Sequence, residues 1–416
     1  MSQAASLERT ASAIDPIDVS RSELYVQDTW QEPFRQLREK APVQFVPESH
    51  YGPYWSISTY KPIVYIEALP KVFSSSWEHG GIAIAFDEEL MTRHDIREPM
   101  FIAMDPPHHT AQRRTVAPSF GPSEVAAMKA EVQQRTADLL DSLPVGEAFD
   151  WVQKVSIELT TGMLAKIFDF PWEQRHKLTE WSDHGGDIEL VRSPDGIEFR
   201  RAKLQEMGMA FAALWQERIA NPGKDLISVM LRSDAMKEMS PEEFIGNLIL
   251  LIVGGNDTTR NSMSAYAWGL SQYPEERAKL EADPSLIPNA VQELIRWQTP
   301  LAHMRRTASE DTEVEGQLIR KGDKVVLWYL SANRDESVFP DGERIIVDRE
   351  NARRHLSFGY GIHRCVGARV AELQLVTLLE EMARRRLRVN VLAEPERVSS
   401  CFVHGYKKLM VELSHY

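Results

Sequence analysis

The sequence predicts a mainly helical single unit carrying small β-sheets, and three observations support that prediction. Helical spacing of apolar residues dominates the 416-residue chain. Short apolar–polar alternations are confined to two places, and no strand–helix alternation of the kind a parallel α/β sheet needs is present. No repeat, low-complexity tract or Gly/Ser linker divides the chain, so residues 21–416 are expected to form one domain behind a polar, Ala/Ser-rich lead over residues 1–20.

The first strands are predicted at 43–46 (VQFV) and 54–58 (YWSIS), which alternate across a turn rich in Ser, His, Gly and Pro. A helix is predicted over 123–143, where Val125, Met128, Val132, Leu139 and Leu140 share roughly one face. The next element starts at Ser240-Pro241-Glu242-Glu243: Ser240 caps, Pro241 fits the first turn and Glu243 completes a capping box. No proline follows before Pro274, so this helix is expected to run about 30 residues, or ~45 Å. A second β section is predicted over 312–330, with turns at Gly316 and Lys321-Gly322-Asp323, and a last long helix over 368–384.

Bulk numbers limit the function. Asp plus Glu outnumber Lys plus Arg by 61 to 48, a net charge of −13, which argues against nucleic acid as a partner. The N-terminus lacks a basic stretch followed by an apolar one, and the most apolar run, 244–253, is far too short to span a bilayer. A cytoplasmic protein without a membrane span is therefore expected. The two cysteines, Cys365 and Cys401, form no CxxC and cannot hold an iron–sulfur cluster.

Two stretches carry chemistry. Inside the central helix, LILLIVGGNDTT (248–259) runs from apolar residues into two glycines, an amide, a carboxylate and two hydroxyls. Each glycine costs roughly 1 kcal/mol relative to Ala. Close approach of another helix would explain them, and so would a flat ligand against the helix, with Asp257 and Thr258 facing it. A Thr258 hydroxyl can also bond back to the Gly254 carbonyl and open the helix. The second stretch is FGYGIHRCVG (358–367), whose three glycines wrap Cys365 just before a helix start, where N–H groups and the dipole favour a thiolate. A nucleophile needs a placed His base, and His363, two residues away, rarely supplies one. Zinc needs further ligands that are missing. A haem thiolate ligand fits best.

These residues resemble the cytochrome P450 superfamily. FxxGxHxCxG spans 358–367, Glu293-Leu294-Ile295-Arg296 looks like the family's ExxR, and Gly254 to Thr258 looks like its distal-helix motif with Gly where many members have Ala. The resemblance implies a triangular, mostly helical fold with haem b (iron protoporphyrin IX) between two helices. It implies Cys365 as the iron ligand, Asp257 and Thr258 as the proton-delivering pair, and Phe358 and Gly254 beside the haem. By the same motif matching, His109 and Arg113 in DPPHHTAQR (105–113), Arg306 and His363 hold the propionates, with Arg305 as the rival of Arg306. Glu293 and Arg296, which alone read as a local helix ion pair, become a structural lock with Arg344 as third partner.

Finer likeness lies in GGNDTTRNS (254–262), RWQTPLAHMRRTA (296–308), HLSFGYGIHRCVG (355–367) and MFIAMDPPHHTAQRRTV (100–116). These look like the bacterial alkane and fatty-acid terminal-hydroxylase family. That implies monooxygenation with O2 at the end carbon of a medium-length chain. It implies a pocket lined by Leu250, Val253, Gly254, Leu301, Ala302, Met304, Phe402 and Val403, with Met100 and Phe101 as weaker members. No reductase module is present, so electrons from NAD(P)H are expected through a separate ferredoxin reductase and ferredoxin. Arg113, Arg114, Arg353, Arg354, Arg364 and the run 384–386 are candidates for docking the ferredoxin, although the run also suits an ordinary helix C-terminus. The rivals are the same chemistry on a terpenoid or other compact substrate, a peroxide-using enzyme, and a non-catalytic haem-thiolate sensor. No cation for a fatty-acid carboxylate is identifiable from the sequence.

Overall fold

A computed structural model describes residues 14–86 and 88–416, so most of the expected polar lead lies outside the described residues. Helices dominate, as the spacing predicts. The longest, Pro241–Gln272, has 32 residues, about 48 Å at 1.5 Å per residue. Ser240 Oγ accepts from the Glu243 N–H at 3.2 Å, the predicted cap. Most of this central helix is buried, in keeping with its apolar character. Helices Glu158–Phe168, His176–Gly185 and Pro194–Ala220 pack on it, and so do Ile287–Gln298 and Ala368–Arg384.

Ala368–Arg384 has the predicted bounds. Its buried Leu375, Leu378, Leu379 and Met382 recur at three- and four-residue spacing and pack toward Pro122–Ser142. Pro122–Ser142 itself lies within one residue of its predicted position.

The main sheet has five strands in the order Val43–Val46, Tyr54–Ile57, Lys324–Leu327, Met304–Ala308 and Phe73–Ser74. The first two pair antiparallel with Val43 opposite Ile57, and Tyr54–Ile57 pairs in parallel with Lys324–Leu327. A hairpin, Thr312–Val314 with Gln317–Ile319, turns at Glu315 and Gly316, both at positive φ (50° and 75°). Met304–Ala308 was not foreseen as a strand. Its five residues are all buried and two are arginines, so it lacks the alternation of a half-exposed strand.

The ExxR pair is wholly buried. Arg296 meets both Glu293 oxygens at 2.7 and 2.8 Å and donates to the carbonyls of Asn333, Gly342 and Arg344. The expected third partner is corrected. Arg349, not Arg344, donates to Glu293, at 3.0 and 3.1 Å. Arg344 lends only its carbonyl, while its half-exposed side chain turns to Glu275 at 2.6 Å.

Candidate functional site

A cavity lies between the central helix and the cysteine loop. Gly254, Gly255 and Thr258 form one wall; Phe358, Gly359, His363, Cys365 and Gly367 form another. The two glycines differ. A Cβ at Gly254 would meet nothing within 4 Å, whereas one at Gly255 would lie 2.6 Å from Leu164 Cδ2. The two positions thus differ in kind: Gly254 is open to the cavity, and Gly255 permits close approach of the helix carrying Leu164. Thr258 Oγ1 donates back to the Gly254 carbonyl at 2.8 Å, as the sequence suggested.

The cysteine loop closes on itself through the Cys365 N–H, which donates to the Phe358 carbonyl at 2.7 Å. Gly361 (φ 64°) is required, since a Cβ there would lie 2.3 Å from the Glu67 carbonyl oxygen. The Cys365 sulfur opens on the cavity but is surrounded by protein. Burial raises its pKa, while the N–H groups of Gly367 and Ala368, with Arg113 and Arg364, pull it down. The helix start alone does not hold a thiolate here; a cation at the sulfur would deprotonate it.

One edge of the cavity is built for anions. The rings of His109 and His363 stand 4.2 Å apart, and none of their ring nitrogens has a hydrogen-bond partner. Burial lowers both, His109 to about 4, and neighbouring Arg113 and Arg306 reinforce the shift. Buried nitrogens without partners beside two guanidinium groups are matched by anionic acceptors. Arg306 lines the cavity and pairs with Glu67 at 2.7 Å. Its rival Arg305 turns elsewhere, donating to the carbonyls of His79, Gly80 and Phe86. Arg113 lines the cavity and donates to the Arg364 carbonyl. His109 stands behind His363 and does not line the cavity itself. A thiol on one wall, a glycine-cleared helix opposite and a cationic edge with unmet donors fit a flat dicarboxylate macrocycle such as haem b.

Asp257 is placed differently from expectation. Its carboxylate does not line the cavity; it accepts from Ser182 Oγ at 2.8 Å, Asn256 at 3.2 Å and Arg260 at 2.9 Å. Arg260 is shared with Asp183 at 2.8 Å. Helical geometry explains the split, since adjacent residues cannot face the same way: Thr258 takes the cavity side and Asp257 the side of helix His176–Gly185. Burial raises Asp257 to about 6; Arg260 pulls it down and Asp183 pushes it up.

Of the expected pocket residues, Leu250, Val253, Gly254, Leu301, Met304 and Phe402 line the cavity, as do Met100 and Phe101. Ala302 and Val403 do not; they are buried in the sheet-side core. Leu301 and Val403 meet in an isolated antiparallel bridge, with Ala302 N–H donating to the Phe402 carbonyl. The longer Leu301 and Phe402 side chains reach the cavity, while the shorter Ala302 and Val403 are taken up by the sheet-side core. Sequence reasoning missed Glu67, Glu98 and Arg200. Arg200 begins an Arg-Arg pair on a helix without a continuous apolar stripe and reads as a solvated charge, yet it is buried and lines the cavity.

Residues 194–392 match the family model described as Cytochrome P450. Linalool 8-monooxygenase from Pseudomonas putida is 36% identical over 404 residues, covering 95% of this chain and 98% of that protein. Methyl-branched lipid omega-hydroxylase from Mycobacterium tuberculosis is 32% identical over 397 residues, covering 92% and 90%. Among solved structures, cytochrome P450-153 from Novosphingobium aromaticivorans is similar at a TM-score of 0.90 and 57% identity, over 95% of this chain and 99% of that one. CYP153D17 from Sphingomonas sp. PAMC 26605 is similar at 0.90 and 63%, over 97% and 100%.

Proposed function

This chain belongs to the cytochrome P450 family and is a monooxygenase; from that premise we propose that it hydroxylates the terminal carbon of medium-length alkanes or fatty acids. Haem, when bound, supplies the oxidising power that inserts one atom of O2 into a C–H bond, with electrons from redox partners. Cys365 would ligate the iron, with Phe358 and Gly254 beside the ring. His109, Arg113, Arg306 and His363 would hold the propionates.

The cavity wall carries the substrate reading. Leu250, Val253, Leu301, Met304 and Phe402 present an apolar surface next to Thr258 and Gly254. A terminal methyl C–H is stronger than its neighbours, so only a pocket that presents the chain tip selects it. The likeness to an omega-hydroxylase supports the same choice. Thr258 would donate a proton at the cavity wall, and Asp257, raised by burial to about 6 but held by Ser182 and Arg260 on the other side of the helix, would have to turn from those partners to resupply it. Arg260 and the half-exposed Asp183 link that carboxyl to solvent.

The electron donor is proposed to be a ferredoxin, reduced by NAD(P)H through a reductase. It would dock on exposed Arg114, Arg353, Arg354 and Arg364. The run 384–386 is a weaker site: Arg384 pairs with Glu381, Arg385 with Asp141 and Glu381, and Arg386 donates to the Tyr416 carbonyl.

Reconstituted turnover of a homologous series of alkanes and fatty acids tests the reading. Terminal alcohols as main products, strongest at one chain length, are expected; in-chain products throughout would overturn it. The likeness to linalool 8-monooxygenase favours a second substrate class, terpenoids. A haem spin-state shift with terpenoids and none with linear chains would select it. Any coupled product formation rejects the sensor alternative.

A further inference from the structure

Resting on the linear-chain reading, we propose that Arg200 and Glu98 form a head-group site in the cavity. It takes a neutral hydrogen-bonding group, above all a hydroxyl, and disfavours a carboxylate. Both residues line the cavity, together with Gly185, Gly186 and Phe86. Their side chains are 8% and 14% exposed, so the pair sits within the protein. One guanidinium nitrogen, Nη1, pairs with Glu98 Oε1, and Nη2 donates to the Gly185 carbonyl at 2.9 Å. The third, Nε, is buried and has no partner. The guanidinium carbon lies 5.9 Å from the centre of the Phe86 ring.

Three head groups can be compared on this geometry. A pure hydrocarbon leaves Nε unmet, and a buried donor without an acceptor is costly. A carboxylate would satisfy Nε but bring a second negative charge beside Glu98, in a place poorly screened by water. A hydroxyl accepts from the guanidinium and donates to the carboxylate, so it completes both partners without adding charge. Within the linear-chain class the favoured substrate is therefore a neutral amphiphile, ahead of the plain alkane and the ionised fatty acid: a polar, uncharged head at Arg200 and Glu98, and a methyl end toward Cys365.

The test is spin-state titration of the ferric holoenzyme with an alkane, a primary alkanol and an alkanoate of equal length. The wild type is expected to bind the alkanol about tenfold more tightly than the alkanoate, from like-charge repulsion. Glu98→Gln removes the competing charge and should reverse the order. The double variant Glu98→Gln/Arg200→Gln should abolish the alkanoate's gain. The alkane reports pocket shape: if Glu98→Gln no longer binds it, the wild-type order and the double variant decide. An alkanoate that binds the wild type as tightly as the alkanol, or an order unchanged by Glu98→Gln in a variant that still binds the alkane, overturns the proposal. Failure of all three linear compounds, with a shift for a terpenoid, overturns the linear-chain reading instead; the same comparison then runs with a terpenoid alcohol and its acid.

Discussion

Thr258 sits where a hydroxyl reaches both the cavity and the Gly254 carbonyl, and that double position sets its predicted phenotype. Thr258→Ala removes the cavity-side donor without touching the cationic edge. Haem should be retained while NADH consumption outruns product and the excess appears as peroxide. Equal coupling in variant and wild type would sink the relay. Glu293 offers a second test on single residues. Arg349→Ala takes two hydrogen bonds from a buried carboxylate that Arg296 still pairs, a loss of about 1–3 kcal/mol. Arg344→Ala breaks an exposed pair worth no more than about 1 kcal/mol. Urea unfolding of the two variants ranks them; a larger loss for Arg344→Ala would contradict the observed geometry. At this scale the sequence was legible where a short motif fixes a position, as for Cys365, His363 and Arg306, which all line the cavity. It was silent where partners come from distant segments. Glu67 meets Arg306 from the helix Tyr60–Glu67, and Arg349 replaces Arg344 because the chain between them turns the nearer side chain outward. No local pattern encodes either contact.

The central helix shows what an element can and cannot declare in advance. Its cap, its length and the Thr258 back-bond follow from local rules, and all three are in place. Which way Asp257 turns does not, because that depends on Ser182 and Arg260 finding it from the side away from the cavity. The same distinction separates the two glycines. Gly254→Ala adds a methyl to open space and should hold or raise stability by up to about 1 kcal/mol. It narrows the cavity, so the optimum in a chain-length titration should move. Gly255→Ala forces Leu164, which is buried, to shift, at about 1–3 kcal/mol, partly offset by helix propensity. Urea unfolding should place Gly254→Ala above Gly255→Ala; the reverse order would mean that Leu164 yields freely. Met304–Ala308 marks the limit from the other side: a strand buried on both faces with two arginines leaves no alternation to read, whereas Tyr54–Ile57 was found through its alternation across a turn, although all four of its residues are buried.

Across the whole molecule, the charge balance of −13 argues against nucleic acid as a partner but says nothing about how the fold responds to acid. Buried histidines decide that. His303 lies in the sheet-side core, where Nε2 accepts from the Ile84 N–H at 3.2 Å and Nδ1 is 2.9 Å from the Cys401 carbonyl. His355 lies near the cysteine loop, where Nδ1 accepts from the Ser357 N–H at 3.2 Å and Nε2 is 3.3 Å from Gln292 Oε1. Each ring is satisfied as a neutral tautomer, and an added proton would face an N–H donor. Burial lowers His303 to about 4 and His355 to about 3, from 6.5. The sign follows: below pH 6.5 the unfolded chain takes up protons that the folded one refuses, so stability is full above 6.5 and falls as the pH drops toward 4. Each ring contributes roughly 1.4 kcal/mol per pH unit within that window. His109 and His363 stand at the cationic edge, where a bound anion would change their state, and are not counted. Urea unfolding of the holoenzyme across this range should show the decline, and His303→Gln should lessen its slope by up to about 1.4 kcal/mol per unit. An unchanged slope would mean that His303 accepts its proton within the fold, against the Ile84 N–H that its geometry sets before it.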